Sequence, residues 1–168
     1  MLKKVGFGGG CHWCTEAVFS ALKGVETVEQ GWIASGGDYS SFSEGVIVTY
    51  NALEISFDVL IEVHLYTHAS TADHSMRDKY RSAVYTFENS DIISVRMTID
   101  DLQNDFDKPI ITKVLPLVDF KLNREDSLNY YFTDPEKPFC ENYINPKLKL
   151  LREQFFKVTR IEKLVHLK

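Results

Sequence analysis

No glycine follows Gly45 and no proline precedes Pro109 in this chain of 168 residues. Cysteine is limited to Cys11, Cys14 and Cys140, and 19 Lys and Arg are outnumbered by 24 Asp and Glu. Each shortage excludes something. Three cysteines are too few, and odd in number, for a disulfide scaffold; in a reducing compartment such thiols more often serve catalysis or metal binding. A formal net charge of −5 leaves no basic footprint for nucleic acid. No apolar run approaches the roughly 20 residues that span a bilayer, and the start has a lysine pair but no apolar stretch of secretory length. No membrane partner is expected, and the cytoplasm is the expected location. No linker, repeat or low-complexity tract divides the chain, so residues 1–168 read as one domain despite the uneven glycine and proline.

What is present is patterned for a mixed fold, with 44% hydrophobic residues to fill a core. Lys3 to Phe7 reads as a short strand that Gly8-Gly9-Gly10 stops. Ala17, Val18, Ala21 and Leu22 then recur at helical spacing until Gly24. Val25 to Ser35 and Gly45 to Tyr50 read as an antiparallel pair. Ser56 caps a helix whose Phe57, Leu60, Ile61, His64, Leu65 and His68 share one face, and Arg81 to Phe87 is the next strand. Ile92, Val95, Ile99, Leu102 and Phe106 mark a third helix. Ile110 to Val118 is a strand that Pro116 places at or near an edge, and Pro146 opens a helix running to about Lys157. The order β-α-β-β-α-β predicts an α+β, ferredoxin-like split βαβ sandwich, with helices over one face of a mainly antiparallel sheet and a helical, irregular C-terminal extension.

Chemistry concentrates in Gly8-Gly9-Gly10-Cys11-His12-Trp13-Cys14. Cys11 sits where a glycine turn opens a helix, and the unsatisfied N–H groups and helix dipole there favour its thiolate. Cys14 lies one turn on and could close a disulfide with an oxidised Cys11. Three other readings compete. Both cysteines could be small buried hydrophobes. Cys140 with His12, His64, His68 or His74 could complete a zinc site, but no second paired motif accompanies the CxxC, and no metal or other cofactor is expected. A thioredoxin-like oxidoreductase carries its CxxC after a longer β-α-β lead than the ten residues found here.

FGGGCHWCTEAVFSALKGV closely resembles the active-site signature of the A-type peptide-methionine sulfoxide reductases. Further blocks follow in that family's order: Ser43 to Asn51, Lys79 to Tyr85, Lys108 to Thr112, Arg124 to Tyr131, and Phe139 to Leu148. The resemblance implies thiol-dependent reduction of methionine (S)-sulfoxide, free or in peptides and proteins, with a thioredoxin-type reductant restoring the thiols. It places the nucleophile on Cys11, the essential glutamate on Glu44 and an oxygen-binding tyrosine on Tyr80. Trp13 and His12 fall on the substrate-methyl pocket, Tyr131 on a further substrate tyrosine, and Cys14 and Cys140 on recycling thiols. Sulfoxide oxygen is a poor leaving group, so attack on sulfur needs an acid; a Glu with apolar walls would arrive protonated, and Tyr donates without ionising. Departures stand beside the matches. His12 replaces the common Phe and Leu128 a histidine, the Trp32–Glu44 loop is short, and a second tyrosine falls on Tyr39 or Phe42. The shortened stretch from His68 to Tyr80 leaves a family aspartate between Asp73 and Asp78. A weakly catalytic redox sensor or sulfoxide-binding protein on the same scaffold is the alternative.

Overall fold

A computed structural model describes residues 1–168. The chain runs β1 (Leu2–Gly8), α1 (His12–Ser20), β2 (Val25–Ala34), β3 (Ser43–Asn51), α2 (Phe57–Thr67) and β4 (Ala83–Thr86). There follow α3 (Asn89–Leu102), β5 (Lys113–Pro116), β6 (Asp119–Leu122), the single turn α4 (Tyr130–Thr133) and α5 (Asn145–Gln154). The six strands form one sheet in the order β5-β4-β1-β3-β2-β6. Its inner four strands, β4-β1-β3-β2, are all antiparallel, which is the split βαβ arrangement that the element order predicts. β5 adds in parallel to β4, and β6 adds antiparallel to β2.

Val5 and Phe7 of β1 and Val46, Val48 and Tyr50 of β3 face the main core, which α1, α2 and α5 close with Phe19, Leu60, Leu65 and Leu148. Phe7 and Phe19 stack with centroids 4.5 Å apart. The opposite face is not open. Ile33, Ile47, Ala83, Tyr85 and Leu115 form a second, smaller core, against which Tyr39, Leu117 and Phe120 pack.

The sheet is rolled. The consecutive amides of Leu117 and Val118 donate to Thr86 O on β4 at 2.8 Å and Ala34 O on β2 at 3.0 Å. A flat sheet would hold these strands, three positions apart, about 14 Å from one another at ~4.8 Å per strand. The two-residue strap from β5 to β6 is therefore possible only because the edges curl toward each other. Sequence reading merges this region into one strand, Ile110 to Val118. In the structure the strand is cut at Pro116 and β6, at the far edge, is additional. Asp119 to Leu122 is four residues long with mostly exposed side chains, too short to display a period. Arg81 to Phe87 also shortens, because the Arg81 guanidinium turns to Tyr85 Oη and Ser41 and its amide to Ser43 Oγ.

Candidate active site

The turn between β1 and α1 carries the first reactive group. Gly9 has φ +155°, and a Cβ there would collide with the His68 ring, so glycine is required on both counts. The Arg77 guanidinium clasps this turn, donating to Gly9 O at 2.9 Å and to Tyr80 O at 2.8 Å. Cys11 then stands as the N-cap of α1, partly exposed. A hydrogen bond from the Cys14 thiol is the main influence that lowers its pKa; burial and the Glu44 charge oppose, while the amides of Trp13 and Cys14 assist. The same bond, with burial, drives the Cys14 thiol strongly upward. The two cysteines are thus pushed in opposite directions, Cys11 toward thiolate and Cys14 toward thiol. Cys140 is fully buried in the helical turn leading into α5, its pKa raised by burial. All three cysteines are free thiols.

Glu44, at the start of β3, is buried and reaches back to this turn. Its Oε1 accepts the His12 backbone N–H at 3.2 Å and lies 3.4 Å from His12 Nε2, while Oε2 is 3.6 Å from Lys79 Nζ. The wall around it is consequently basic, not apolar as sequence reading expects. Tyr80 is brought alongside because residues 79–81 are pinned to the start of β3. Lys79 O accepts from Glu44 N at 2.9 Å and from Ser43 Oγ at 2.8 Å. The Lys79 ammonium sits 5.2 Å over the Tyr80 ring, and the Tyr80 phenol, then Glu44, raise its pKa.

Trp13, half-buried next to Cys11, stacks on Tyr130 with centroids 4.0 Å apart and meets the edge of Phe139 at 5.6 Å. Buried Glu16 fixes this stack from α1 by accepting the amides of Asn129 and Tyr130 at 3.0 and 3.2 Å. Tyr131 points elsewhere; fully buried, its phenol is engaged by Asn145 and His166. His12 is also turned inward, toward Gly31 O, Asn123 and Glu44. Tyr39 packs on the second core between Arg81 and Lys113, and Phe42 lies under Lys121. Asp73 and Asp78 are exposed. Beneath Cys14, His64 and His68 stack at 4.2 Å, and the Lys147 ammonium donates to Thr67 O.

The structure thus brings Cys11, Cys14, Trp13 and Glu44 to one turn, with Lys79 between Glu44 and the Tyr80 ring. It adds Tyr130, Lys79, Asn123 and Gln30, which sequence reading does not single out. Tyr130 is adjacent to the tyrosine that the resemblance marks, and Lys79 lies within a quoted block, so both had a local signal. Asn123 and Gln30 had none.

A match to the peptide methionine sulfoxide reductase family covers residues 3–159. The chain belongs to this family. It is 32% identical over 173 residues to the peptide methionine sulfoxide reductase MsrA of Trichodesmium erythraeum, covering 92% of this chain and 97% of that one. It is 32% identical over 165 residues to that of Deinococcus radiodurans, covering 89% and 80%. Its fold is similar to that of reduced Mxr1 from Saccharomyces cerevisiae, with TM-score 0.73 at 20% identity over 84% of this chain and 91% of that one. Mxr1 in complex with Trx2 matches with TM-score 0.61 at 19% identity, over 75% and 83%. No helix is long and apolar enough to cross a membrane.

Proposed function

We propose that this chain, acting as a single catalytic domain, reduces methionine (S)-sulfoxide, free or in proteins, to methionine. The observation that carries this reading is Cys11 at the N-cap of α1, its pKa lowered chiefly by the Cys14 thiol, with the Glu44 side chain accepting the very next amide. A nucleophile and an oxygen-side acid therefore meet at one helix start. Cys11 attacks the sulfoxide sulfur, Glu44 and the Tyr80 phenol hydrogen-bond the departing oxygen, and a proton delivered there yields methionine and a Cys11 sulfenic acid. Trp13, its rear face covered by Tyr130, supplies an aromatic wall for the substrate methyl and sulfur.

Cys14, one helical turn on from Cys11, is the first thiol to reach the sulfenic acid, releasing water and leaving a Cys11–Cys14 disulfide. Cys140, buried in the turn leading into α5, passes the disulfide onward. A thioredoxin-type reductant closes the cycle, a role supported by the fold shared with Mxr1, seen in complex with Trx2. A cytoplasmic setting, where thiols are kept reduced, fits this cycle.

Steady-state turnover of separated methionine sulfoxide epimers with dithiothreitol tests the reading. Repeated release of methionine from the (S) epimer is expected. Loss of thiols without methionine release would mark a redox sensor instead.

A further inference from the structure

Hydrogen-bond directions around His12 are forced from one end of a network to the other. Ser127 O can only accept, so Gln30 Nε2 donates to it at 2.8 Å and Gln30 presents Oε1. Asn123 Nδ2 donates to that oxygen at 2.6 Å, while Asn123 Oδ1 accepts the Arg124 amide at 2.9 Å. The same Nδ2 lies 3.2 Å from His12 Nε2, which it meets as a donor. On the other side of the ring, His12 Nδ1 faces Gly31 O at 3.1 Å and must carry the proton. The neutral ring in this network is therefore the Nδ1–H tautomer, and its Nε2, which accepts from Asn123, also lies 3.4 Å from Glu44 Oε1.

A lone pair facing an ionised carboxylate oxygen in a buried site is repulsive, and one additional proton between the two atoms turns that contact attractive. The geometry points to a shared-proton pair of His12 and Glu44 as the acid of this site, with His12 a positioning residue that acts through Glu44. This inference rests on the reductase reading above and deepens it. Lys79 lies on Oε2 and the His12 ring on Oε1, so the two carboxylate oxygens have different partners. Of the groups around the pair, α1 contributes Cys11, β3 Glu44 and the segment before β4 Lys79. β2 and the segment after β6 present Gly31, Trp32, Gln30 and Asn123, none of them charged.

The step balances. The Cys11 thiolate gives an electron pair to the methionine sulfur as the S–O bond breaks. The oxygen passes to Cys11, and the pair's one proton completes the sulfenic acid, leaving Glu44 ionised and His12 neutral. The Cys14 thiol then displaces water from the sulfenic acid to form the Cys11–Cys14 disulfide, a thioredoxin-type reductant returns both thiols, and solvent resets the pair.

The test uses single-turnover methionine release against pH in wild type and His12→Phe, which keeps the backbone N–H to Glu44. The variant should fall within about threefold of wild type at about pH 5.5 and at least about tenfold below it at about pH 8.5, because Glu44 alone surrenders its proton earlier. Parallel profiles, equal or uniformly lowered, would overturn the pair and leave His12 as packing. Independently of that variant, ¹⁵N NMR of labelled histidine should show the His12 midpoint lower by about one pH unit or more in Glu44→Gln, since an anionic neighbour is lost. An unmoved midpoint would also overturn it. If the wild-type protein releases no methionine, the reductase reading fails by itself and the NMR measurement still decides the pair.

Discussion

Two polar clusters flank the first turn of α1, built from similar side chains and put to opposite electrostatic use. On the outer side Glu44 lies between His12 and Lys79, each oxygen with a basic partner. On the inner side, beneath Cys14, burial disfavours charge. It pushes His64 down from 6.5 to about 4, takes His68 well below its ordinary value and lowers Lys147, with Cys14 and Cys11 opposing. His64 donates from Nε2 to Gly8 O at 2.8 Å, and its Nδ1 has no partner. The difference teaches how one turn holds two unlike thiols. Cys14, pushed toward its protonated form, is kept over two neutral histidines, while Cys11, pushed toward its thiolate, faces the cluster where Glu44 has basic partners.

The largest expected break in this comparison is Cys11→Ser, which should abolish single-turnover release of methionine. Cys14→Ser and Cys140→Ser should each still release one methionine per enzyme, and peptide mapping of wild type after one equivalent of substrate should find Cys11 joined to Cys14. Full release from Cys11→Ser, or only a Cys11–Cys140 linkage, would reassign the thiols.

Next comes Glu44→Gln, expected to slow the first chemical step by about 10²–10⁴-fold with an unchanged circular dichroism spectrum. An undiminished rate would remove the outer cluster from the chemistry.

The inner cluster should fail by a different route, through stability. His64 binds its proton more weakly in the fold than in the unfolded chain, so stability is intact above about pH 6.5 and declines as pH falls toward about 4. At 1.36 kcal/mol per unit, this one histidine should remove about 2 kcal/mol between pH 7.5 and 5. Urea unfolding at the two pH values measures it, and His64→Asn should show a correspondingly smaller loss. Equal losses in both proteins would contradict a neutral His64.

The smallest effect sharpens the link between the clusters. Cys14→Ala removes the donor that chiefly lowers Cys11, so iodoacetamide should alkylate Cys11 several-fold more slowly near neutral pH, while Cys14→Ser, which keeps a hydroxyl donor, should lie between. An unchanged rate in Cys14→Ala would assign the Cys11 thiolate to the helix start alone.

Much of this architecture was legible from local pattern. The glycine turn before Cys11, the Ser56 cap, which accepts Val59 N–H at 3.3 Å, and the β2–β3 pairing all depend on neighbours in sequence. Cys11, Cys14 and Trp13 share one turn, so a short motif sufficed to place them. Glu44 and Tyr80 were located by their ordered blocks, but their surroundings were not: the partners that make the Glu44 wall basic come from α1 and from the segment before β4. Trp13 is assigned to the substrate-methyl pocket by the resemblance, and its stacking partner is Tyr130, one residue before the tyrosine that the family pattern marks, because Glu16 bonds the amides of Asn129 and Tyr130. β6 and Asn123 escaped because what defines them is the rolled edge. Gly31 has no room for a Cβ against Lys121 O, a constraint visible only once β2 and β6 are side by side.

The Leu117–Val118 strap has a consequence for how the molecule is made. Asn123 meets His12 across 111 residues and Gln30 meets Ser127 across 97, both through the edge that the strap draws in. Such distant closures carry a large loop-entropy cost before any contact repays it, so they belong to the slow part of folding. The nucleophile is placed by a local helix start, whereas the proton partner of Glu44 takes its orientation only after the far edge of the sheet has arrived. A chain caught before that moment carries a reactive thiol without its finished acid.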